Sequence, residues 1–279
     1  MLNKVYLEIT NVCNLDCSFC HKTAREKRLM SDEEFNTLTD RLRGKAKYLY
    51  FHLMGEPTLH PLLPAFIKIA HEKGFSPIIT TNGSLLSRVG NKLIESHPYK
   101  VSISLHAPEA NPTFNDESYL DSCISFAKSA AESGMIVALR LWNLGSDADN
   151  SSILEGLHAS FPDEWVDLRA GNGQRLSDRI FLEWGQRFDW PDATLDEQSE
   201  NADAFCYGLR DQIGVLVDGT VVPCCLDADG EIALGNLFES ELDEIIGSRR
   251  ARDIYNGFSC RRAVEPLCRK CGYARRFSK

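Results

Sequence analysis

Three cysteines stand close together near the start of the chain, in the run Cys13-Asn14-Leu15-Asp16-Cys17-Ser18-Phe19-Cys20, directly after the β-like run of residues 5–10. On one short loop, thiolates at C-x3-C-x2-C spacing can ligate three irons of a cubane iron–sulfur cluster. Cubanes that only carry electrons normally have four cysteine ligands. A loop that withholds the fourth leaves one iron open to an outside ligand, as a catalytic zinc site keeps one position open. A structural zinc knuckle is the competing reading. Zinc sites usually set one C-x2-C beside another, and here no second pair stands before the far end of the chain.

Further polar residues fall at the ends of strand-like segments. Met54-Gly55-Glu56-Pro57 offers bare backbone carbonyls and one carboxylate, which suits an ammonium group because that group only donates. An ordinary strand-to-helix turn, with Glu56 balancing a helix N-terminus, is the plain alternative. Thr80-Thr81-Asn82-Gly83 contains the common Asn-Gly turn. In Val101-Ser102-Ile103-Ser104-Leu105-His106, alternation puts Ser102, Ser104 and His106 on one face. A polar face is unexpected in a buried parallel sheet, so it points to a ligand cavity. Arg140 interrupts the apolar run of residues 137–142 and needs a partner. A carboxylate ligand fits its fork, and a structural ion pair with Asp167 or Glu164 fits nearly as well. His52, Trp142 and Asn143 are weaker pocket candidates, since such residues at strand ends more often pack than react.

The cysteine loop, with Asn14-Leu15 after its first cysteine and the aromatic Phe19 before its last, resembles the signature of radical S-adenosylmethionine (radical SAM) enzymes. The resemblance implies a [4Fe–4S] cluster on Cys13, Cys17 and Cys20 whose open iron chelates SAM. It also implies a SAM site built from Gly55 and Glu56, with Met54 in place of the family's first glycine, and from Asn82, Ser104 and Arg140. Far down the chain, Cys206, then Gly219 followed five residues on by Cys224, then Cys268-Arg269-Lys270-Cys271, resembles the twitch form of the SPASM domain. That form holds one auxiliary [4Fe–4S] cluster, here on Cys206, Cys224, Cys268 and Cys271, or with Cys260 in place of Cys206. Four-cysteine zinc is the alternative. Cys225 adjoins Cys224 and points the other way if the segment is a strand. Cys123 reads as a small core residue, or as a thiol returning a hydrogen atom to a substrate radical.

What the resemblance implies is an enzyme that cleaves SAM reductively, forms a 5′-deoxyadenosyl radical and abstracts hydrogen from a small polar metabolite or a peptide. With the auxiliary cluster as electron acceptor the outcome is a two-electron oxidation. Peptide modification, or epimerisation with a cysteine hydrogen donor, is the alternative outcome. A two-cluster electron-transfer protein is the alternative of another class, although a carrier has no use for a SAM pocket. A reductant such as flavodoxin or ferredoxin is implied as a partner. Family members that act on peptides usually add a leader-binding domain. Here the barrel pattern starts at the first residue, so such a domain is expected on a separate protein.

These groups need a scaffold. Strand-like segments at residues 4–10, 47–54, 76–81, 100–105, 135–142 and 165–169 alternate with helical patterns at 31–43, 61–73, 85–96, 115–133 and 151–160. Ser31-Asp32-Glu33-Glu34 forms a capping box, and Gly44, Gly74 and Gly134 are stops. Such βα alternation predicts an α/β fold with a parallel sheet and helices outside it, and the resemblance implies an open TIM-like (β/α)6 partial barrel with functional groups at the strands' C-terminal ends. Past Gly171 the pattern breaks into polar loops, including residues 191–201. A hairpin with an Asp218-Gly219 turn follows, then helices at 239–246 and 249–255. The expected domains are a partial barrel over 1–185 and a small α+β auxiliary-cluster domain over 186–279.

The chain has 279 residues, ten of them cysteine, and a formal charge of −9. Without a signal-peptide pattern or a membrane-length apolar run, the cysteines read as metal ligands and the location as cytoplasmic. The acidic balance makes nucleic acid an unlikely substrate. From residue 249 onward the net charge is +8, a basic rim suited to an acidic electron donor.

Overall fold

A computed structural model describes residues 2–111, 113–114, 116–147, 149–169, 171–192 and 203–277. Five parallel strands follow one another in space as in sequence: β1 (Leu2–Leu7), β2 (Ala46–Tyr50), β3 (Ser76–Thr81), β4 (Lys100–Ser104) and β5 (Ile136–Leu144). Helices α1 (Asp32–Leu42), α2 (Leu63–Glu72), α3 (Leu86–Ser96) and α4 (Tyr119–Glu132) make the crossovers. The Ser31 hydroxyl accepts the Glu34 N–H while the Glu34 carboxylate accepts the Ser31 N–H at 2.8 Å, so α1 starts where the capping box requires. Gly44, Gly74 and Gly134 take positive φ just past their helices. Helix α4 begins later than the expected residue 115. The Asp116 carboxylate binds the Ser118 N–H and hydroxyl, which holds that stretch in a turn; Asn115 itself lies outside the described residues.

The sixth parallel strand corrects the expectation of residues 165–169. It is β8 (Ile180–Gln186), paired with β5. The earlier segment supplies only β6 (Val166–Asp167), which pairs with β7 (Gly173–Ser177); β7 in turn lies antiparallel to β8. Val166 is half exposed, whereas Ile180 and Leu182 bury fully, so the segment with more apolar surface to hide takes the inner position. Helix α5 (Ser151–Ser160) lies within the same crossover.

At the other edge, β9 (Gln212–Val215) runs parallel to β1, and β10 (Thr220–Val222) and β11 (Gly235–Asn236) follow antiparallel. Gly219 turns this hairpin at φ +84°. The resulting eleven-stranded sheet has the order β11-β10-β9-β1-β2-β3-β4-β5-β8-β7-β6. The fold is α/β, an open partial barrel whose sheet carries on into the C-terminal hairpin.

The sheet has two different faces. Val5, Leu7, Leu49, Ile79, Val101, Ile103, Val137, Leu139 and Leu182 are fully buried on the helix-covered side, where Phe35 stacks on Phe66 at 4.0 Å. Each such side chain contributes about 1.5–3 kcal/mol. The alternate residues form the inner face. There Tyr6 stands opposite Tyr50, and Ser104 opposite Arg140, which stands opposite Glu183. A second apolar cluster, including Ile232, Ile254, Phe258 and Leu267, lies between α7 (Arg249–Ser259) and α8 (Pro266–Arg269), while α6 (Leu242–Ile246) packs Leu242 and Ile245 into the main core. Helix α6 starts three residues late because residues 236–240 close a turn on the Asn236 carbonyl; α7 runs on to Ser259. Residues 193–201 of the expected polar loop lie outside the described residues. Among the described residues no helix is long and apolar enough to cross a membrane.

Candidate functional site

The loop of Cys13, Cys17 and Cys20 leaves the C-terminal end of β1, and a buried residue absent from the expectations shapes it. Asn111, beyond β4, donates from Nδ2 to Cys17 Sγ at 2.9 Å and to the Ala107 carbonyl at 2.6 Å, and its Oδ1 accepts the Asp16 N–H at 2.7 Å. The Ser18 N–H reaches the Ala110 carbonyl, and the Cys20 N–H closes a turn on the Cys17 carbonyl, both at 3.1 Å. On the other flank, Asn82 bonds Asn14 at 3.1 Å and stands 3.9 Å from Cys13 Sγ. Phe19 packs on His106 at 5.1 Å. Burial pushes the Cys13 and Cys17 thiols up. A bound cation would reverse that, since metal ligation requires thiolate.

Gly55 sits against this loop with φ +77°. A Cβ there would lie 2.4 Å from the Thr10 carbonyl and 2.9 Å from that of Val12, so no other residue fits. The Glu56 N–H donates to the Val12 carbonyl at 2.8 Å, which fixes the turn beside the cysteines. The Glu56 side chain is buried and fully engaged. It accepts from the Thr58 N–H (3.0 Å) and hydroxyl (2.6 Å), the Thr81 hydroxyl (2.7 Å) and the Asn82 N–H (2.7 Å). Burial raises its pKa and these bonds oppose the rise. The carboxylate therefore clamps the ends of β2 and β3 and sets the direction of Asn82. The groups this turn leaves beside the cysteines are its backbone.

Ser104 and Arg140 share the inner face. The Arg140 guanidinium lies 3.7 Å over the Trp142 ring. Neither expected ion-pair partner reaches it. Asp167 takes the Gln174 amide at the edge of the sheet, and no ion pair of Arg140 with Asp167 or Glu164 forms among the described residues. Glu183, its neighbour across the sheet, is bonded to Lys100 at 2.6 Å. Burial, reinforced by the Arg140 charge, pushes His52 down to about 3; burial chiefly, and Arg140 also, brings His106 to about 4, so both are neutral at ordinary pH. Three buried polar atoms of this region have no hydrogen-bond partner: His52 Nδ1, Arg140 Nε and Trp142 Nε1. Buried polar atoms in folded proteins are normally paired. Three orphans together mark a place built to receive a polar ligand. Asn143, by contrast, is engaged with Glu109 and Asn150, each at 2.9 Å.

The second cysteine set comes together around one cavity. Cys206, Cys224, Cys268 and Cys271 line a cavity of about 30 Å³ with Pro223, Leu226, Phe258 and Leu267. Burial pushes all four thiols up, Cys271 to about 11, and mutual repulsion adds to this for Cys224 and Cys268. The thiols surround the cavity instead of converging on a point: among the described residues no three His, Cys, Asp or Glu side chains gather closely enough for a single metal ion. Cys260 is exposed at the end of α7 and does not line the cavity. Cys123 is buried on α4 under the helix-covered face, beside Tyr119 and Gly83, and burial pushes it to about 12. It is a core residue there. Cys225 lies past the end of β10, so strand alternation does not orient it; it does not line the cavity and hydrogen-bonds Tyr6.

Residues outside both motifs tie the two sets together. Asp229 accepts from the Thr23 hydroxyl at 2.5 Å and the Ala24 N–H at 3.1 Å and pairs with His21 at 3.3 Å, just past Cys20. The Trp190 indole N–H donates to the Phe19 carbonyl at 2.9 Å, and Phe188 packs on Tyr273, two residues past Cys271, at 5.1 Å. No sequence signal marks these pairings, because each joins residues far apart in the chain.

Residues 7–137 match the model of the Radical SAM superfamily, and residues 206–272 match SPASM, an iron–sulfur cluster-binding domain. The chain belongs to the radical SAM superfamily. Membership implies a [4Fe–4S] cluster and SAM as cofactors, and the SPASM match a further cluster. The donor sets fit: three thiols on a preformed loop beside a glycine cradle, and four around a cavity. This radical SAM chain is 32% identical over 142 residues to Fe-coproporphyrin III synthase of Methanosarcina barkeri; the match covers 49% of the chain but 36% of that protein, so the chain spans about a third of its relative. Its fold is similar to that of BtrN in complex with AdoMet and 2-DOIA (17% identity, TM-score 0.60, covering 97% of this chain and 93% of that one). It is also similar to Streptococcus suis SuiB bound to precursor peptide SuiA (17% identity, TM-score 0.64, 98% and 70%).

Proposed function

We propose that this chain is a radical SAM enzyme that removes a hydrogen atom from a small polar metabolite or a peptide and completes a two-electron oxidation. The observation that carries the reading is the arrangement of the two cysteine sets. One is a three-thiol loop at the C-terminal ends of the parallel strands; the other is a four-thiol cavity, tied to the first through Asp229 and Trp190. When bound, the cluster and SAM supply a carbon radical strong enough to abstract hydrogen. The protein does the rest. Asn111 and Asn82 set the loop, Gly55 lets the backbone approach, and the turn it makes, with Asn82 and Ser104, lines SAM, with Glu56 holding that turn in shape. Four thiolates on the auxiliary cluster leave no iron open, which favours electron acceptance over substrate ligation.

The domain division follows from this reading, a partial barrel over 1–185 and the auxiliary-cluster domain over 186–279. A flavodoxin or ferredoxin is the proposed reductant, docking on the basic C-terminal rim. The solved relatives include one complexed with a small molecule and one with a peptide, and both substrate classes stay within the proposal. Anaerobic reconstitution tests it. The dithionite-reduced protein is expected to convert SAM slowly to 5′-deoxyadenosine and methionine, and to hold about eight irons, two four-iron cubanes. Replacing Cys13, Cys17 and Cys20 together with Ala should abolish cleavage and leave about half the iron. Full iron in that variant, or stoichiometric zinc in place of the second cluster, would overturn the reading.

A further inference from the structure

The inner face holds a buried charge that the proposed chemistry leaves unused. Arg140 meets no carboxylate within ion-pair distance among the described residues, and its Nε has no acceptor. Stacking on Trp142 offsets only part of the cost of burying a guanidinium. The Trp142 indole N–H is likewise a buried donor without an acceptor, and the neutral His52 beside Tyr6 and Tyr50 adds a third unpaired nitrogen. A second arginine approaches the same indole. Arg276, from the segment just past Cys271, lies 5.7 Å from the Trp142 ring and 4.4 Å from that of Tyr273, and donates to the Gln186 carbonyl. Arg and Trp side chains offer donors and no acceptors, so what satisfies them must bring acceptor oxygens, best of all ionised ones.

We infer that the substrate carries an anionic oxygen group, a carboxylate or a phosphate, and that Arg140, the Trp142 indole N–H and Arg276 receive it. This deepens the proposed function by naming a substrate class, and it rests on that reading. SAM also has a carboxylate, but the surroundings of Arg140 favour the substrate. Tyr6, Tyr50 and Tyr273 are its near neighbours, with Arg276 across the indole, on the flank toward the second cysteine set. Gly55 and Asn82 stand instead at the ends of β2 and β3, against the first cysteine loop, and Ser104, cross-strand from Arg140, lies between the two groups. Glu183 is the acidic group whose charge acts most on Arg140, but its ion pair is with Lys100 at 2.6 Å and not with the guanidinium.

Inorganic phosphate is the probe. Its binding to the reconstituted full-length protein is followed by tryptophan fluorescence at constant ionic strength, against chloride, with SAM affinity measured in parallel by equilibrium dialysis. Wild type should bind phosphate saturably. Arg140→Gln should bind it at least tenfold more weakly, Arg140→Lys should recover part of the loss, and SAM affinity should stay within about threefold in each. Absence of saturable binding to wild type, or equal binding by Arg140→Gln, sinks the inference. A tenfold loss of SAM affinity in Arg140→Gln assigns the arginine to SAM and sinks it too. Should Arg140→Gln lose iron, the exposed Arg276→Gln reads the receptor from its other side, and unchanged phosphate affinity there counts against it. Phosphate binding needs no turnover, so a wild type that binds phosphate and fails to cleave SAM would overturn the proposed function alone.

Discussion

At the scale of single residues, the site depends on a few contacts whose loss has a computable consequence. Asn111 holds Cys17, Asp16 and Ala107 at once. Asn111→Ala removes three hydrogen bonds and leaves the carbonyl of buried Ala107 without this donor, a loss of about 1–3 kcal/mol per unsatisfied group. The expected result is a protein that folds and keeps its second cluster but loses iron from the first, read as an iron count falling toward half with SAM cleavage falling in step. Gly55 is constrained by space. Gly55→Ala would press a methyl into the Thr10 carbonyl at 2.4 Å, at a φ of +77° that alanine disfavours. A drop of several degrees in the thermal midpoint is expected; an unchanged midpoint would mean the loop yields. Glu56 shows where residue type misleads. Its carboxylate looks suited to a ligand's ammonium group, yet four protein donors already hold it.

At the scale of elements, alternation along the strands divides helix-packing residues from ligand-facing ones, and burial then sets the charge state of the inner histidines. His52, at the end of β2, is pushed down to about 3, and His106, past β4, to about 4. Both fall below the unfolded value near 6.5, so the unfolded chain binds protons that the folded one does not. Stability therefore rises with pH up to about 6.5 and is lost as pH falls toward 4, at about 1.4 kcal/mol per unit for each group. Denaturant unfolding between pH 4.5 and 7.5 should show this slope, and His52→Phe should remove about half of it, His106 keeping the rest; the same slope in the variant would exclude His52 as a cause. The strand at residues 180–186 carries little local signal. A short polar hairpin precedes it, and only competition for the buried position beside β5 decides that it, and not 165–169, completes the parallel set.

At the scale of the whole molecule, the arrangement of the second cysteine set separates competing chemistries. Cys206 lines the cavity and Cys260 does not. Cys206→Ala should therefore lose about half the iron, while Cys260→Ala keeps its full content and activity. Cluster loss in the second variant alone would reverse the ligand choice and reopen substrate coordination to iron. The two sets are joined through Asp229, Trp190 and the shared sheet, in which β9 pairs directly with β1. The hairpin of the proposed auxiliary-cluster domain thus extends the sheet of the barrel.

Cysteine spacing, helix caps and strand alternation are local properties, and by themselves they determined the family and the α/β order and pointed to the thiols and the glycine that the proposed function uses. A C-x3-C-x2-C loop or a capping box works through neighbours a few residues away, so it can be read from the chain alone. What only the tertiary structure decided depends on pairs separated by tens to hundreds of residues. Asn111 reaches back to Cys17, Asp229 to Thr23, and Arg276 to Trp142. Glu56 is turned inward by Thr81 and Asn82, Arg140 is left without the acidic partners expected for it, and Cys260 is carried off by the end of α7. Each outcome follows from which groups packing brings within bonding distance and which it strips of water, and no local pattern encodes that.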